Sequence, residues 1–569
     1  MSQDAPAASP LRQLLVLAVI LVIYIAHGWA IINKQTPWFD EVTLSAHANS
    51  LAIHGDLGSR YWSIPTLPNV EAYAYHIMPG YLVTLGGWMG VVGNDMVSVR
   101  AFSIFTGALG IVLFFLAIRR LTNAPTLALL ATGVLSADIP FIQYTTYGRP
   151  DSLAFLLAMA ALWSALRFGQ TRAPRQLFFT HLFTCLAGLT HPLAGLSALA
   201  WVLITHWRQD DFRLPGLLKL AALALLGYLL PALAWLGYIL QSPADFIGQF
   251  MTNQGHHTAN EGNFLVKVIT NVLGKFALAY GLSGAVTAAS WIKTLALASY
   301  LALSATAFAL ALRQRAWRTL IAPVLFGGVS LLIIGAMSNP HNPFYLLYVL
   351  PWIILLAAWG TLQLWGGAWR VKNQRVGRFI ALLILAAPLG LSAASQARWR
   401  LSEAMDSHAL LHKPVVDSVL ALPLQPQDKV LGPAAFFYGL GFEGRLIADE
   451  WFGYKSGIHY PLIIIDAKQF EPGTPQPAPN SEVAHAWARL RDQLSQYRLL
   501  MQTPAYKLYA DPAWLRQRGV ADPNPEQGAA DPAPAEANAD VEAESIAPPN
   551  VADPAAAQDA ADAAPAEAE

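Results

Sequence analysis

The first polar stretch after an N-terminal apolar run opens with Trp38-Phe39-Asp40-Glu41. Adjacent carboxylates near a membrane surface suit the abstraction of a proton from a hydroxyl, because partial desolvation raises a carboxylate's basicity. The same Asp40 would also serve as the N-cap of a following helix, and the sequence leaves both roles open. Downstream lie His54, Asp56, Glu71, His76 and Pro79. A second polar group, Tyr144-Thr145-Thr146-Tyr147-Gly148-Arg149-Pro150-Asp151, ends one apolar run and begins another. There Arg149 and Asp151 suit either an anionic head group or an ion pair that fixes the turn, and Pro150 starts the next helix. His191, in Thr190-His191-Pro192, reads as a ligand at the tip of a hairpin or as a helix-boundary residue. Asn339-Pro340-His341-Asn342-Pro343-Phe344-Tyr345 offers amides and the Tyr345 phenol to sugar hydroxyls, or forms a capped turn. His256 and His257 are adjacent, so their side chains diverge and make a weak metal motif; they sit in a long polar loop, 242–263, of the kind a lid uses. Cys185 is the sole cysteine, which excludes an intrachain disulfide and a Cys-based metal cluster.

The elements that must position these groups are mostly apolar. Of 569 residues, 55% are hydrophobic and 13% charged, and the mean hydropathy is +0.39. A soluble protein carries about 25% charged residues, so an ordinary soluble enzyme is excluded, as is a disordered or fibrous chain. The net charge of zero hides a division. Residues 521–569 hold 12 acids and no Lys or Arg, leaving 36 basic and 24 acidic residues, +12, on the body. Residues 11–32 form a first span too long for a signal-peptide core, read as an uncleaved anchor. Further spans fall near 97–119, 126–146, 151–168, 215–240, 291–312, 318–337, 343–366 and 377–395. The apolar stretch 176–207 makes a tight or re-entrant hairpin of two helices of roughly 24 Å each, short against a core of about 30 Å. That gives eleven spans. Arg119 and Arg120; Arg167, Arg172 and Arg175; Arg208 and Arg213; Arg313, Arg315 and Arg318; and Arg370, Lys372, Arg375 and Arg378 fall in alternate loops. The positive-inside rule then places the N-terminus in the cytoplasm and the C-terminal region outside.

Residues 41–53, 76–93 and 264–286 are too polar to cross and read as helices along the outer surface. The expected organisation is a cytoplasmic N-terminus (1–10), a transmembrane module (11–396) with outer loops 33–96 and 242–290, a small extracytoplasmic α/β domain (397–515) and a tail (516–569). The α/β expectation rests on helical periodicity at 403–421 and 481–497 alternating with strand-like runs at 429–431, 461–466 and 506–509. The Ala/Pro-rich acidic tail lacks the apolar residues to bury a core and reads as disordered. The fold class is therefore a polytopic α-helical membrane protein with a small C-terminal α/β domain.

Chemistry collects on the outer face. The spans carry almost no charge, and the cytoplasmic loops hold no Gly-rich phosphate loop of the kind a nucleotide-dependent enzyme needs there. An outer-loop Asp-Glu pair, an amphipathic helix, a His/Pro-x-Tyr-Leu segment (His76, then Pro79-Gly80-Tyr81-Leu82), Arg149-Pro150-Asp151 after span three and the hairpin His191-Pro192 together resemble the GT-C glycosyltransferases. The likeness covers roughly residues 11–366, and is nearest to the protein O-mannosyltransferase-like branch that includes the lipid A aminoarabinose transferase. His76-Ile77-Met78-Pro79 departs from that branch's His-Pro-Pro, and no Arg precedes Tyr345. The resemblance implies transfer of a sugar from a polyprenyl-phosphate carrier to a lipid, glycan or protein acceptor outside the cytoplasmic membrane. It implies that Asp40 is the catalytic carboxylate, with Glu41 or Glu71 orienting acceptor or sugar. Arg149, Asp151, His76, His191 and Tyr345 would hold substrate and carrier phosphate. No metal site or cofactor is assigned, a divalent cation is left open, and no nucleic-acid partner is expected. The absence of any Asn-x-Ser/Thr sequon and the basic loops fit a bacterial inner membrane with a periplasmic site. The alternatives are a transporter or lipid flippase, which should show paired halves and buried charges, and a polysaccharide ligase or polymerase.

Overall fold

The computed structural model describes residues 9–520, apart from 60–61, 64–66, 210, 212–216, 259–262, 283–287, 316, 340, 443, 450, 471–476, 478–480 and most of 367–405. Most of the span expected at 377–395, and the tail, lie outside the described residues.

Fifteen helices precede residue 367: α1 (Pro10–Ile31), α2 (Phe39–His54), α3 (Pro79–Val92), α4 (Met96–Thr122), α5 (Pro125–Ala137), α6 (Ile139–Thr146), α7 (Pro150–Thr171), α8 (Pro174–Thr190), α9 (Pro192–Arg208), α10 (Leu217–Ile239), α11 (Pro243–Thr258), α12 (Phe264–Tyr280), α13 (Ala288–Arg313), α14 (Ile321–Met337) and α15 (Leu350–Trp365). Prolines open many of them, where a missing N–H costs nothing and φ is already helical. Among the described residues five helices are long and apolar enough to cross a membrane, or six if α5 and α6 form one bent span. The chain is thus a multi-pass membrane protein. The hairpin of 176–207 is present as α8 and α9, broken at His191, and packs so closely that a side chain at Gly195 would collide with Gly188.

Two features differ from the sequence reading. The stretch 126–146 bends by 65° between α5 and α6. Asp138 lies at the bend, buried, and its carboxylate accepts the Phe141 N–H (3.0 Å) and the Tyr280 hydroxyl (3.3 Å). Hydropathy averaging passes over this single buried carboxylate, which caps α6. The polar loop expected at 242–263 is largely the helix α11. Its polar composition conceals an aromatic face: Phe246 meets Trp235 and Tyr75, with ring centroids 6.0 and 5.8 Å away, and supplies the tertiary packing that a short helix needs.

Helices α2 and α3 pack through Leu44, Ala48, Leu82, Leu85 and Met89. Beyond residue 406 the strand-like runs form a sheet. Its strands are β1 (Trp62–Ser63), β2 (Val430–Leu431), β3 (Leu446–Asp449), β4 (Leu462–Asp466), β5 (Arg498–Gln502) and β6 (Tyr506–Ala510), in the order β1-β3-β2-β4-β6-β5. β1, β3, β2 and β4 run parallel, and β4-β6-β5 are antiparallel. The helix Glu482–Gln496 covers one face through Leu490 and Leu494. The other face shares its core with α2, whose Val42 and Ala46 lie among Val415, Val416, Phe436 and Leu462. β1 comes from the segment between α2 and α3, so the sheet is completed by the polypeptide that carries Asp40.

Candidate active site

The start of α2 sets the site. Glu41, not Asp40, closes the first turn, accepting the Trp38 N–H at 3.2 Å. Asp40 sits one residue inside the helix and does not cap it. Glu41 is fully buried. Arg100 of α4 reaches it with Nε (2.8 Å) and Nη2 (2.9 Å), and the Gly148 N–H adds a third contact at 3.0 Å. The same guanidinium donates Nη1 to the carbonyls of Ile32 (2.7 Å) and Gln35 (3.1 Å). One buried pair therefore fixes the end of α1, the loop to α2 and the turn before α7. Gly148 has to be glycine, because a side chain there would collide with Val99 and Glu41.

Asp40 faces the other way, with its side chain 44% exposed, and pairs with Nη1 of Arg149. Arg149 is itself buried, and its Nε donates to Asp151 at 3.1 Å. Its guanidinium carbon lies 4.1 Å from the ring centre of Phe344. Trp38, Tyr144 and Tyr147 surround that ring, with centroids 4.8 to 5.8 Å away. A planar cation stacked on an aromatic face and forked between two carboxylates has little freedom left. Next to it, Tyr345 lies within the electrostatic reach of Arg149, Asp151 and Asp40. Its hydroxyl accepts the Asn342 amide at 3.0 Å, and the His191 ring packs 4.8 Å from its own. Asp40, Arg149, Asp151, His191 and Tyr345, drawn from four separate segments, thus form one cluster.

Glu71 and His76 are not in it. Glu71 lines a cavity at the other end of α2, roughly 20 Å from Asp40 along the helix. His76 lies against His47, 5.4 Å between rings, and its Nδ1 is 3.3 Å from the Gln249 carboxamide oxygen. Burial pushes His47 down to about 4; burial, with His47 beside it, pushes His76 down to about 3. The His256 and His257 side chains fall outside the described residues. Among the described residues no three His, Cys, Asp or Glu side chains converge as a metal would require.

Several residues escaped the sequence reading. Arg100 had a usable signal, since an ionisable residue inside an apolar run is rarely idle. Lys275 is buried on α12, donates to the Asn339 carbonyl, and lies 5.9 Å from the Tyr345 ring centre. Burial pushes its amine down to about 7. Its signal was Asn271, also buried and one turn earlier on the same face. Gln249 and Tyr438 had none. Gln249 ties α11 to the segment between α2 and α3 through Pro68, Tyr73, Tyr75 and His76. The Tyr438 hydroxyl, from the C-terminal unit, lies 2.7 Å from Ser45 Oγ, which donates to the Glu41 carbonyl.

The crystal structure of ArnT from Cupriavidus metallidurans bound to undecaprenyl phosphate superposes with a TM-score of 0.56 at 14% identity, covering 89% of this chain and 99% of that one. The same protein in its apo state gives 0.52 at 15% identity, over 88% and 98% of the two chains. The chain shares the fold of ArnT. The family model of the dolichyl-phosphate-mannose-protein mannosyltransferases matches residues 77–235, which run from the end of the loop before α3 into α10. That match includes Arg149, Asp151 and His191 and begins after Asp40. The archaeal oligosaccharyltransferase from Archaeoglobus fulgidus, tethered to an acceptor peptide, aligns at 12% identity with a TM-score of 0.44 over 89% of this chain and 74% of its own. No curated protein matches the sequence.

Proposed function

We propose that the chain is an inverting glycosyltransferase that moves a sugar from a polyprenyl-phosphate donor to an acceptor hydroxyl of a lipid, glycan or protein. The reading includes eleven spans, a cytoplasmic N-terminus, and a site on the periplasmic face of a bacterial inner membrane. The observation that carries it is the half-exposed Asp40 paired with the buried, doubly paired Arg149, in a fold shared with a protein crystallised with undecaprenyl phosphate.

Asp40 takes the acceptor's proton as the hydroxyl oxygen bonds to the anomeric carbon. The bond from that carbon to the phosphate oxygen breaks, and the electron pair leaves with the phosphate. Arg149 neutralises the charge building on that phosphate, the kind of preorganised electrostatic help that dominates many such reactions. In the resting site Arg149 is shared with Asp40, so an arriving phosphate competes for the guanidinium and turns the carboxylate toward the acceptor. Glu41, with its oxygens occupied, positions Asp40 and touches no substrate.

The carrier's path is supported by an apolar cavity of about 620 Å³ between α12 and α14, lined by Val268, Val272, Leu325 and Leu331 among others. Lys275 lies roughly 10 Å further along α12 from Val268, near Tyr345. An isoprenoid chain in the groove places its phosphate beside the amine, which supplies the cation that the 339–345 loop lacks. The test is carrier-lipid mass spectrometry of a deletion strain. A polyprenyl-phosphate sugar should accumulate, and wild-type protein, but not Asp40→Asn, should clear it. An unchanged carrier pool would defeat the reading.

A further inference from the structure

A cavity of about 470 Å³ opens on the outer face between the end of α2, the loop that follows it and the outer end of α10. Leu51, Asp56, Glu71, Tyr73, Tyr238 and Gln241 are among its walls. The aromatic part is built and pinned. Tyr73 stacks on Tyr75 at 5.1 Å and 11°, and Tyr75 meets Tyr238 at 4.8 Å. The Tyr238 hydroxyl accepts the Ala74 N–H (3.0 Å), and the Tyr75 hydroxyl donates to the Tyr238 carbonyl (3.0 Å). Gln249 locks the same segment from α11, accepting the Tyr75 N–H at 2.7 Å and donating to the Tyr73 carbonyl at 3.0 Å. Asp56 is oriented by Ser50 Oγ (2.6 Å) and the Gly58 N–H (3.2 Å). Glu71 is exposed, and neither its side chain nor that of Gln241 makes a hydrogen bond within the described residues.

Tyr73 stacks on Tyr75, meets Tyr238 at 6.2 Å and 59°, and lines the cavity. A tyrosine face beside carboxylate and carboxamide groups complements a pyranose, whose C–H face is apolar and whose hydroxyls point outward as donors and acceptors. The volume lies in the range of small-ligand sites. Among the described residues no Lys or Arg lines the cavity and two carboxylates do, a lining that disfavours phosphates and acidic sugars. We infer that this cavity is an acceptor subsite for an uncharged oligosaccharide. It would grip sugar units remote from the one glycosylated at Asp40, roughly 20 Å away along α2. The word acceptor rests on the transferase reading above, whereas the binding itself does not.

The test uses the full-length protein in phosphatidylcholine nanodiscs, since maltoside detergents carry a disaccharide themselves. Maltotriose, mannotriose and triacetylchitotriose are titrated by saturation-transfer NMR and calorimetry, with 3′-sialyllactose as the acidic counterpart. At least one neutral trisaccharide should bind saturably, with a Kd on the order of 1 mM, and sialyllactose should not. Glu71→Gln and Tyr73→Ala should each weaken binding at least about fivefold; Glu71 is exposed, so its variant keeps the test open if Tyr73→Ala folds poorly. Failure of all three neutral probes, tighter binding of sialyllactose, or indifference to both substitutions would overturn the inference. Trisaccharide binding by a protein that leaves the carrier pool untouched would defeat the transferase reading and leave the sugar site standing.

Discussion

Asp40 and Glu41 are neighbours in the chain with opposite surroundings. Asp40 meets solvent and Arg149, while Glu41 is buried and gripped at both oxygens by Arg100. Since α2 turns by 100° per residue, a pair of carboxylates at its start divides naturally into one that faces solvent and one that faces the protein interior. The two should therefore fail differently when neutralised.

Asp40→Asn keeps the size of the side chain and removes its charge and basic lone pair. Because Asp40 does not cap the helix and its carboxylate is half exposed, the structural loss is confined to the ion pair with Arg149, which keeps Asp151. Transfer should drop by roughly 10² to 10⁴, with at most a small change in the detergent melting temperature, as expected for a half-exposed ion pair. Wild-type turnover by a stably folded Asp40→Asn protein sinks the mechanism.

Arg100→Met leaves Glu41 charged, buried and unpaired, which costs about 3–5 kcal/mol. The expected signature is a lowered melting temperature and poor recovery from membranes. Removing both charges, as Arg100→Leu with Glu41→Leu, should restore part of that stability, because the desolvated pair is replaced by apolar packing. Thermal unfolding of the single and double variants checks this.

Arg149→Lys retains the charge and loses the planar fork that spans Asp40 and Asp151. Carrier binding should weaken and transfer slow, by less than in Asp40→Asn. Lys275→Gln should raise the apparent KM for the carrier with a smaller effect on kcat. Equal losses in both parameters would place Lys275 outside the carrier site.

The histidines give a pH prediction. In the unfolded chain both titrate near 6.5, while in the fold His47 is held at about 4 and His76 at about 3. Between those values the unfolded chain binds more protons, so stability is fully present above about 6.5 and falls as the pH drops toward 4. Melting temperature should decline across that window, and His76→Gln should flatten the decline. A slope identical to wild type would show that His76 is not held neutral.

Truncation separates the C-terminal unit from the tail. Ending the chain after Arg518 should leave expression and transfer within a few-fold of wild type. Ending it before Ser407 removes the apolar partners of Val42 and Ala46 and the Tyr438 contact to Ser45, so transfer should be lost. Tyr438→Phe, which deletes only that hydroxyl, should reduce the rate modestly, measured in the same membranes.

Hydropathy and charge by themselves determined the membrane class, the positions of the described spans and the hairpin broken at His191, because a span must satisfy its backbone internally and stay apolar over a fixed length. Strand-like runs located β2, β4 and β6, and residue type marked Asp40, Arg149 and Asp151 as chemically able. These are local properties, legible within a window of a few turns. Which groups meet was decided only by the packing of helices. Arg149 reaches Asp40 across 109 positions, Arg100 reaches Glu41 across 59, and Tyr438 reaches Ser45 across 393. Asp40 and Glu41 read alike in the sequence. They became different residues when α4 buried one beside Arg100 and α7 brought Arg149 to the other, since a buried charge persists only where the fold delivers its partner.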